Sequence, residues 1–110
     1  MHAFHITTSV RDGVVTVAIG GELDIASREL VRAHVFELLD TLPGPADIAL
    51  DLGGLTFVDA AGLGVLVAVH QRAQLRGARL TLTGVPERTA MLLRLTRLDE
   101  VFHVRVPETS

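Results

Sequence analysis

From residue 4 onward the chain opens with two runs of β-branched and apolar residues, Phe4 to Val10 and Val14 to Ile19, separated by Arg11-Asp12-Gly13. Asp-Gly between two such runs is the strongest short hairpin signal, so an antiparallel pair of strands is expected here. Gly20-Gly21-Glu22-Leu23-Asp24 then reads as a break in the second strand. Beyond it Val31, Val35, Leu38, Leu39 and Leu42 fall within about 100° of one another on a helical projection, opposite Glu29, Glu37 and Asp40. That is an amphipathic helix. It starts near Ile25 to Ser27 with Asp24 or Ser27 as its cap, and it stops at Pro43-Gly44-Pro45.

Ile48 to Leu52 is apolar on both faces except for Asp51, the pattern of a central strand parallel to a neighbour. Gly53 to Val58 carries the chain to a turn at Asp59. A second helix follows from about Ala60 to Arg76 and ends at Gly77, with Arg72 and Arg76 placed to complement the helix dipole. Arg79 to Thr83 reads as a fourth strand, Gly84-Val85-Pro86 opens a third helix running to about Leu95, and Phe102 to Val106 reads as a short last strand. The order ββαβαβαβ implies a single α/β domain over residues 1–106, with a mixed sheet of four to five strands and helices mainly on one face. Residues 107–110 are expected to form a C-terminal tail.

The second helix departs from the usual single stripe. Gly62, Leu63, Leu66, Val69 and Ala73 form one apolar side, while Ala60, Gly64, Val67, Ala68 and Leu75 form another that only Gln71 interrupts. One contact with the sheet cannot cover both. The second side either packs beneath a neighbouring helix or is a docking surface, which is what an exposed apolar patch commonly marks.

Composition narrows the remaining choices. The 110 residues contain no cysteine, are 48 % hydrophobic and carry a formal charge of −3, which fits one globular domain. All ten basic residues are arginine and none lies in a dense run, so neither nucleic-acid binding nor a polybasic membrane anchor is indicated. The longest apolar run, Val65 to Val69, is far below the roughly 20 residues that span a bilayer. A cytoplasmic protein is expected.

Candidate catalytic chemistry is sparse. Asp24 and Asp59 stand where helix caps belong, and Asp51 lies on a strand, so no carboxylate metal site is expected from them. His2, His5, His34, His70 and His103 have no common ligand spacing. No serine lies in a nucleophile elbow, and neither Gly20-Gly21 nor Gly53-Gly54 makes a phosphate-binding loop. The reading is not an enzyme, with no cofactor, no metal and no small-molecule substrate.

Gly21-Glu22-Leu23-Asp24, together with Leu50-Asp51-Leu52 and Val58-Asp59-Ala60-Ala61-Gly62-Leu63-Gly64 about 35 residues further on, resembles the STAS domain of anti-sigma-factor antagonists and sulfate-transporter tails. The resemblance covers nearly the whole chain. It implies a bacterial regulator that binds a histidine-kinase-like anti-sigma factor and so releases a sigma factor. In that family the partner phosphorylates the serine directly after the loop aspartate. Here that position is Ala60, followed by Ala61, and neither has an oxygen to phosphorylate. Thr56 is the only hydroxyl near the loop, and threonine there is ordinary strand composition. The resemblance therefore implies an antagonist held in its unmodified, binding-competent form, with Asp24, Asp59, Ala60, Ala61, Gly62, Leu63, Gly64, Val67 and Ala68 as its partner-binding residues. The alternative is a STAS adaptor subunit of a transporter or signalling complex.

Overall fold

The computed structural model describes residues 3–105. Asp12 and Gly13 both take positive φ, 54° and 78°, as a tight two-residue hairpin turn requires, and they join β1 (His5–Arg11) to β2 (Val14–Leu23). The chain continues through α1 (Arg28–Thr41), β3 (Asp47–Val58), α2 (Ala60–Leu75), β4 (Arg79–Thr83), α3 (Glu87–Leu95) and β5 (His103–Val104). The five strands lie in the order β1-β2-β3-β4-β5, antiparallel between β1 and β2 and parallel elsewhere. The expected mixed sheet is therefore present, with β3 at its centre.

Strand alternation decides which face is covered. Val15, Ile48 and Leu80 are in register, as are Val17, Leu50 and Leu82, and all six are buried. Each such side chain contributes about 1.5–3 kcal/mol of hydrophobic stabilisation. They meet Val31, Val35 and Leu39 of α1 and Leu66, Val69 and Ala73 of α2 in one core. The opposite row, with Thr16, Ala18, Thr81 and Thr83, stays partly exposed. Helices cover one face of the sheet.

Three boundaries differ from the sequence reading. β2 does not stop at Ile19, and β3 does not stop at Leu52. Both strands run on through their Gly-Gly pairs, with irregularities between Ala18 and Gly20 and between Gly21 and Glu22. Gly20 pairs with Gly54, and a Cβ built on Gly54 would lie 3.2 Å from the Gly20 Cα, so the two backbones approach closely enough to crowd a side chain at position 54. Gly21 has φ +87°, the conformation that lets the strand bulge and then continue. The last strand is shorter than expected, His103–Val104 rather than Phe102 to Val106. Ahead of it Arg97 turns into the left-handed region at φ 62° and a 3₁₀ turn, Leu98–Glu100, takes up part of the connection from α3. Phe102 is buried in the core rather than paired in the sheet. Val106 and the expected tail at 107–110 lie outside the described residues.

Candidate functional site

The extension of β2 and β3 brings two loops together at the C-terminal ends of these neighbouring strands. Leu23 is in register with Val58, so Asp24 and Asp59 leave adjacent strands at the same height. The Asp59 N–H donates to the Leu23 carbonyl at 3.3 Å, which ties the two loops together. Each aspartate spends its carboxylate locally. Asp59 caps α2 by accepting from the Gly62 N–H at 2.9 Å. Asp24 accepts from the N–H groups of Ala26 at 2.9 Å and Ser27 at 3.1 Å, which begins a turn ahead of the regular part of α1. Ser27 is buried beneath this loop and donates to the Glu22 carbonyl at 2.7 Å, while its Oγ accepts from the Asp24 N–H at 3.0 Å. Of the two sequence alternatives for the cap, Ser27 holds the N-cap position without a side-chain cap bond, and Asp24 supplies its side-chain bonds to the turn before it. Asp51, the third acidic candidate, accepts from the Gly53 N–H within its own strand.

The start of α2 is set by Gly62. A Cβ there would lie 2.3 Å from the Leu23 carbonyl oxygen and 3.0 Å from both Leu23 Cγ and Val58 Cγ1, so only glycine lets the helix come down onto the end of β2. From that anchor α2 divides as its two stripes demand. Gly62, Leu63, Val65, Leu66, Val69, His70 and Ala73 face the sheet and the flanking helices and are buried. Ala60, Gly64, Gln71 and Leu75 are exposed, Leu75 by 81 %, and Val67 and Ala68 are half-buried. A Cβ at Gly64 would meet nothing within 4 Å. Of the second stripe, Ala60, Gly64 and Leu75 lie at the surface, while Val67 packs partly against the core and Ala68 is half-buried.

Two expected contact residues require correction. Leu63 belongs to the hydrophobic core, because it lies on the sheet side of the helix projection. Gly62 is buried and acts through close packing with β2. Conversely, the sequence reading missed Ile25, 68 % exposed beside Asp24, and Phe57, 47 % exposed just ahead of Val58 and Asp59. An apolar residue immediately after a helix-capping aspartate was the available signal for Ile25.

Between α1 and α2 runs a shallow groove of about 320 Å³, lined by Arg28, Glu29, Arg32, Ala60, Ala61, Gly64, Val65 and Ala68. Further along the same seam, Arg72 binds both oxygens of Asp40, at 3.0 and 2.6 Å, and Arg76 binds Oδ1 at 2.9 Å. The Arg72 hydrogen bonds, supported by Arg76, hold the Asp40 carboxyl below its ordinary range. The guanidinium carbons of Arg32 and Arg72 lie 5.1 and 4.9 Å from the Phe36 ring centre, in cation–π range. Among the described residues no group of three or more His, Asp or Glu converges as metal ligands, and no helix is long and apolar enough to cross a membrane.

This geometry, two capped loops joined edge to edge with an exposed small-residue helix rising from them, coincides with a family match. The STAS domain family model matches residues 5–109. The chain belongs to the STAS family. An anti-sigma-B factor antagonist of Staphylococcus aureus is 30 % identical over 105 residues, covering 91 % of each chain. An anti-sigma factor antagonist from Mycobacterium paratuberculosis has the same STAS fold, with a TM-score of 0.83 at 20 % identity over 96 % of this chain and 87 % of that one. The Bacillus cell fate determinant SpoIIAA, solved in its phosphorylated form, superposes with a TM-score of 0.69 at 19 % identity over 94 % and 92 %.

Proposed function

We propose that this STAS domain is an anti-sigma-factor antagonist that binds a histidine-kinase-like anti-sigma factor through the outward stripe of α2 and the Asp24 and Asp59 loops, releasing a sigma factor. It acts in the cytoplasm as a binding module, residues 1–106, and not as an enzyme. The observation that carries this reading is the exposed stripe of Ala60, Gly64 and Leu75, flanked by half-buried Val67 and Ala68. A surface of small and apolar residues on a helix already anchored by its other side is what a protein partner covers. The S. aureus relative, named an antagonist and matched along nearly its full length, supports the choice of partner class.

The first residue of α2 is Ala60. A phosphate at that position would bring nearly two negative charges beside Asp59 and onto the docking stripe. Alanine cannot carry one, so the chain stays competent to bind whether or not its partner holds ATP.

The test uses the kinase-like anti-sigma factor encoded with a sigma factor in the same genome, with binding measured by calorimetry and phosphate by mass spectrometry. Wild type should bind equally with and without ATP. Ala60→Ser should bind when unmodified, gain one phosphate with ATP, and then bind about tenfold or more weakly, the order expected for one like-charge contact. Ala68→Glu should abolish binding while leaving the melting temperature nearly unchanged. Phosphate gained by the wild type, for example on Thr56, with loss of the partner would refute constitutive competence. Failure of wild type to bind would refute the antagonist reading.

A further inference from the structure

The groove beside Ala60 is not uniformly apolar, and its charge specifies what enters it. Its floor is Ala60, Ala61, Gly64 and Ala68 on α2, while its α1 wall carries Arg28 and Arg32, one helical turn apart and both exposed. Among the described residues neither arginine has an ion-pair partner. The remaining charge on this wall is Glu29, a single carboxylate facing two guanidinium groups. Lower on the seam the balance is kept differently, since Asp40 takes up both Arg72 and Arg76. The groove lining thus carries two arginines against one glutamate, with Asp24 and Asp59 beyond its end, in a chain whose net charge is −3. With alanine at position 60, the chain supplies no phosphate of its own for this pair to bind.

We propose that Arg28 and Arg32 are specificity-determining contacts. The occupant of the α1–α2 groove is a segment of the anti-sigma factor that places an apolar side chain over Gly64 and Ala68 and an Asp or Glu carboxylate against the two guanidiniums. This rests on the antagonist reading above and adds to it the charge that the partner must carry. Arginine favours such a role because its planar fork binds a carboxylate through two hydrogen bonds. Arg32 is further held in place by its stacking on Phe36, so less freedom is lost when the partner arrives.

The experiment compares wild type, Arg28→Glu/Arg32→Glu and Arg88→Glu, using the same purified kinase-like anti-sigma factor at about 50 mM and about 500 mM salt. Arg88 lies on α3, outside the groove, and controls for charge reversal elsewhere on the surface, at two units of charge against four in the double variant. The double reversal should weaken binding about tenfold at low salt, mainly through slower association, and by much less at high salt, where exposed charges are screened. Its circular dichroism and melting temperature should match wild type. Arg88→Glu should bind within about twofold of wild type. Equal or tighter binding by the double reversal overturns the proposal. If Ala68→Glu abolishes binding in that same case, the antagonist reading stands and only the acidic partner segment is wrong; if Ala68→Glu also binds normally, both fall. A dimer of the chain alone that dissociates on the double reversal would make a second copy the occupant, and it too overturns the proposal.

Discussion

Gly62 and Gly64 lie two residues apart in the same helix, and the structure assigns opposite signs to the same substitution at the two positions. Glycine inside a helix costs about 1 kcal/mol relative to alanine, so replacing either one should stabilise the domain by about that amount if nothing else intervenes. At Gly64 nothing does, because a Cβ meets no atom within 4 Å. Gly64→Ala should therefore raise stability by about 0.5–1 kcal/mol, or a few degrees in Tm. At Gly62 the added Cβ would stand 2.3 Å from the Leu23 carbonyl oxygen, against an ordinary contact of 3.4 Å or more. The helix must back away by about 1 Å, loosening the Leu23 and Val58 contacts and the 3.3 Å bond from the Asp59 N–H to Leu23. Overpacking of this kind typically costs about 1–3 kcal/mol, which exceeds the gain in helix propensity.

The assay is urea and thermal denaturation of both variants followed by circular dichroism. Gly62→Ala should lower Tm by up to about 9 °C, the effect of the roughly 0–2 kcal/mol left after its propensity gain is subtracted, with an unchanged denaturant slope if the fold is otherwise kept. It should also weaken partner binding, because the stripe that begins at Ala60 moves with the helix. A Gly62→Ala variant as stable as Gly64→Ala would refute the claim that a close approach between α2 and β2 fixes the site. A destabilised Gly64→Ala would refute the claim that its surroundings are open.

Two further outcomes are expected. Ser27→Ala, which leaves the Glu22 carbonyl and the Asp24 N–H without a buried hydroxyl partner, should cost about 1–3 kcal/mol in urea denaturation and loosen the Asp24 loop in amide exchange. His70 is only 8 % exposed, packs edge-on against Phe102 at 5.3 Å and has an unpartnered Nδ1; burial first, then the charge of His103, pushes its pKa below the ordinary 6.5. The unfolded chain then binds the proton more readily than the folded one. Stability from this residue is complete above about pH 6.5 and is lost as pH falls toward the depressed folded value. His70→Phe, with a cavity of about 280 Å³ beside it for the larger ring, should remove that acid-side loss, so thermal melts should favour the variant more at about pH 5.5 than at about pH 8.

Much of the scaffold is legible in the sequence because it depends on local patterns. Asp12-Gly13 specifies its own turn, the spacing of Val31, Val35 and Leu39 specifies a buried face for α1, and Asp59 is a cap wherever a helix follows it. The double stripe of α2 is legible for the same reason, since the period alone shows that one side must be left over. What was not legible depends on distant residues. A Gly-Gly pair taken by itself predicts a break, but here Gly54 packs closely on Gly20, Gly21 on the backbone at Ala3 and Phe4, and Gly53 beside Asp51, so both strands continue through contacts that the local pattern does not reveal. The short β5 is similarly set by Arg97 taking a left-handed turn, an uncommon conformation for that residue type. Nothing in the sequence sets Arg28 and Arg32 apart from the other arginines. Only the packing of α1 along α2 brings them to the groove beside Ala60.

The glycine pairs also explain why two motifs 35 residues apart make one site. If β2 and β3 ended at Ile19 and Leu52, Asp24 and Asp59 would hang on loops of several residues each, free to part. Because both strands stay paired, through two register shifts, as far as Leu23 and Val58, the two capping aspartates are held side by side, and Gly62 then fixes the height of α2 against them. Positions 20, 21, 54, 59 and 62 therefore build the frame, and substitution there disturbs every partner alike. Positions 28, 32, 60, 64 and 68 line the groove with no part in that frame, so they can change without loss of fold. On the proposed reading, partner contacts can thus vary at those five positions without disturbing the frame.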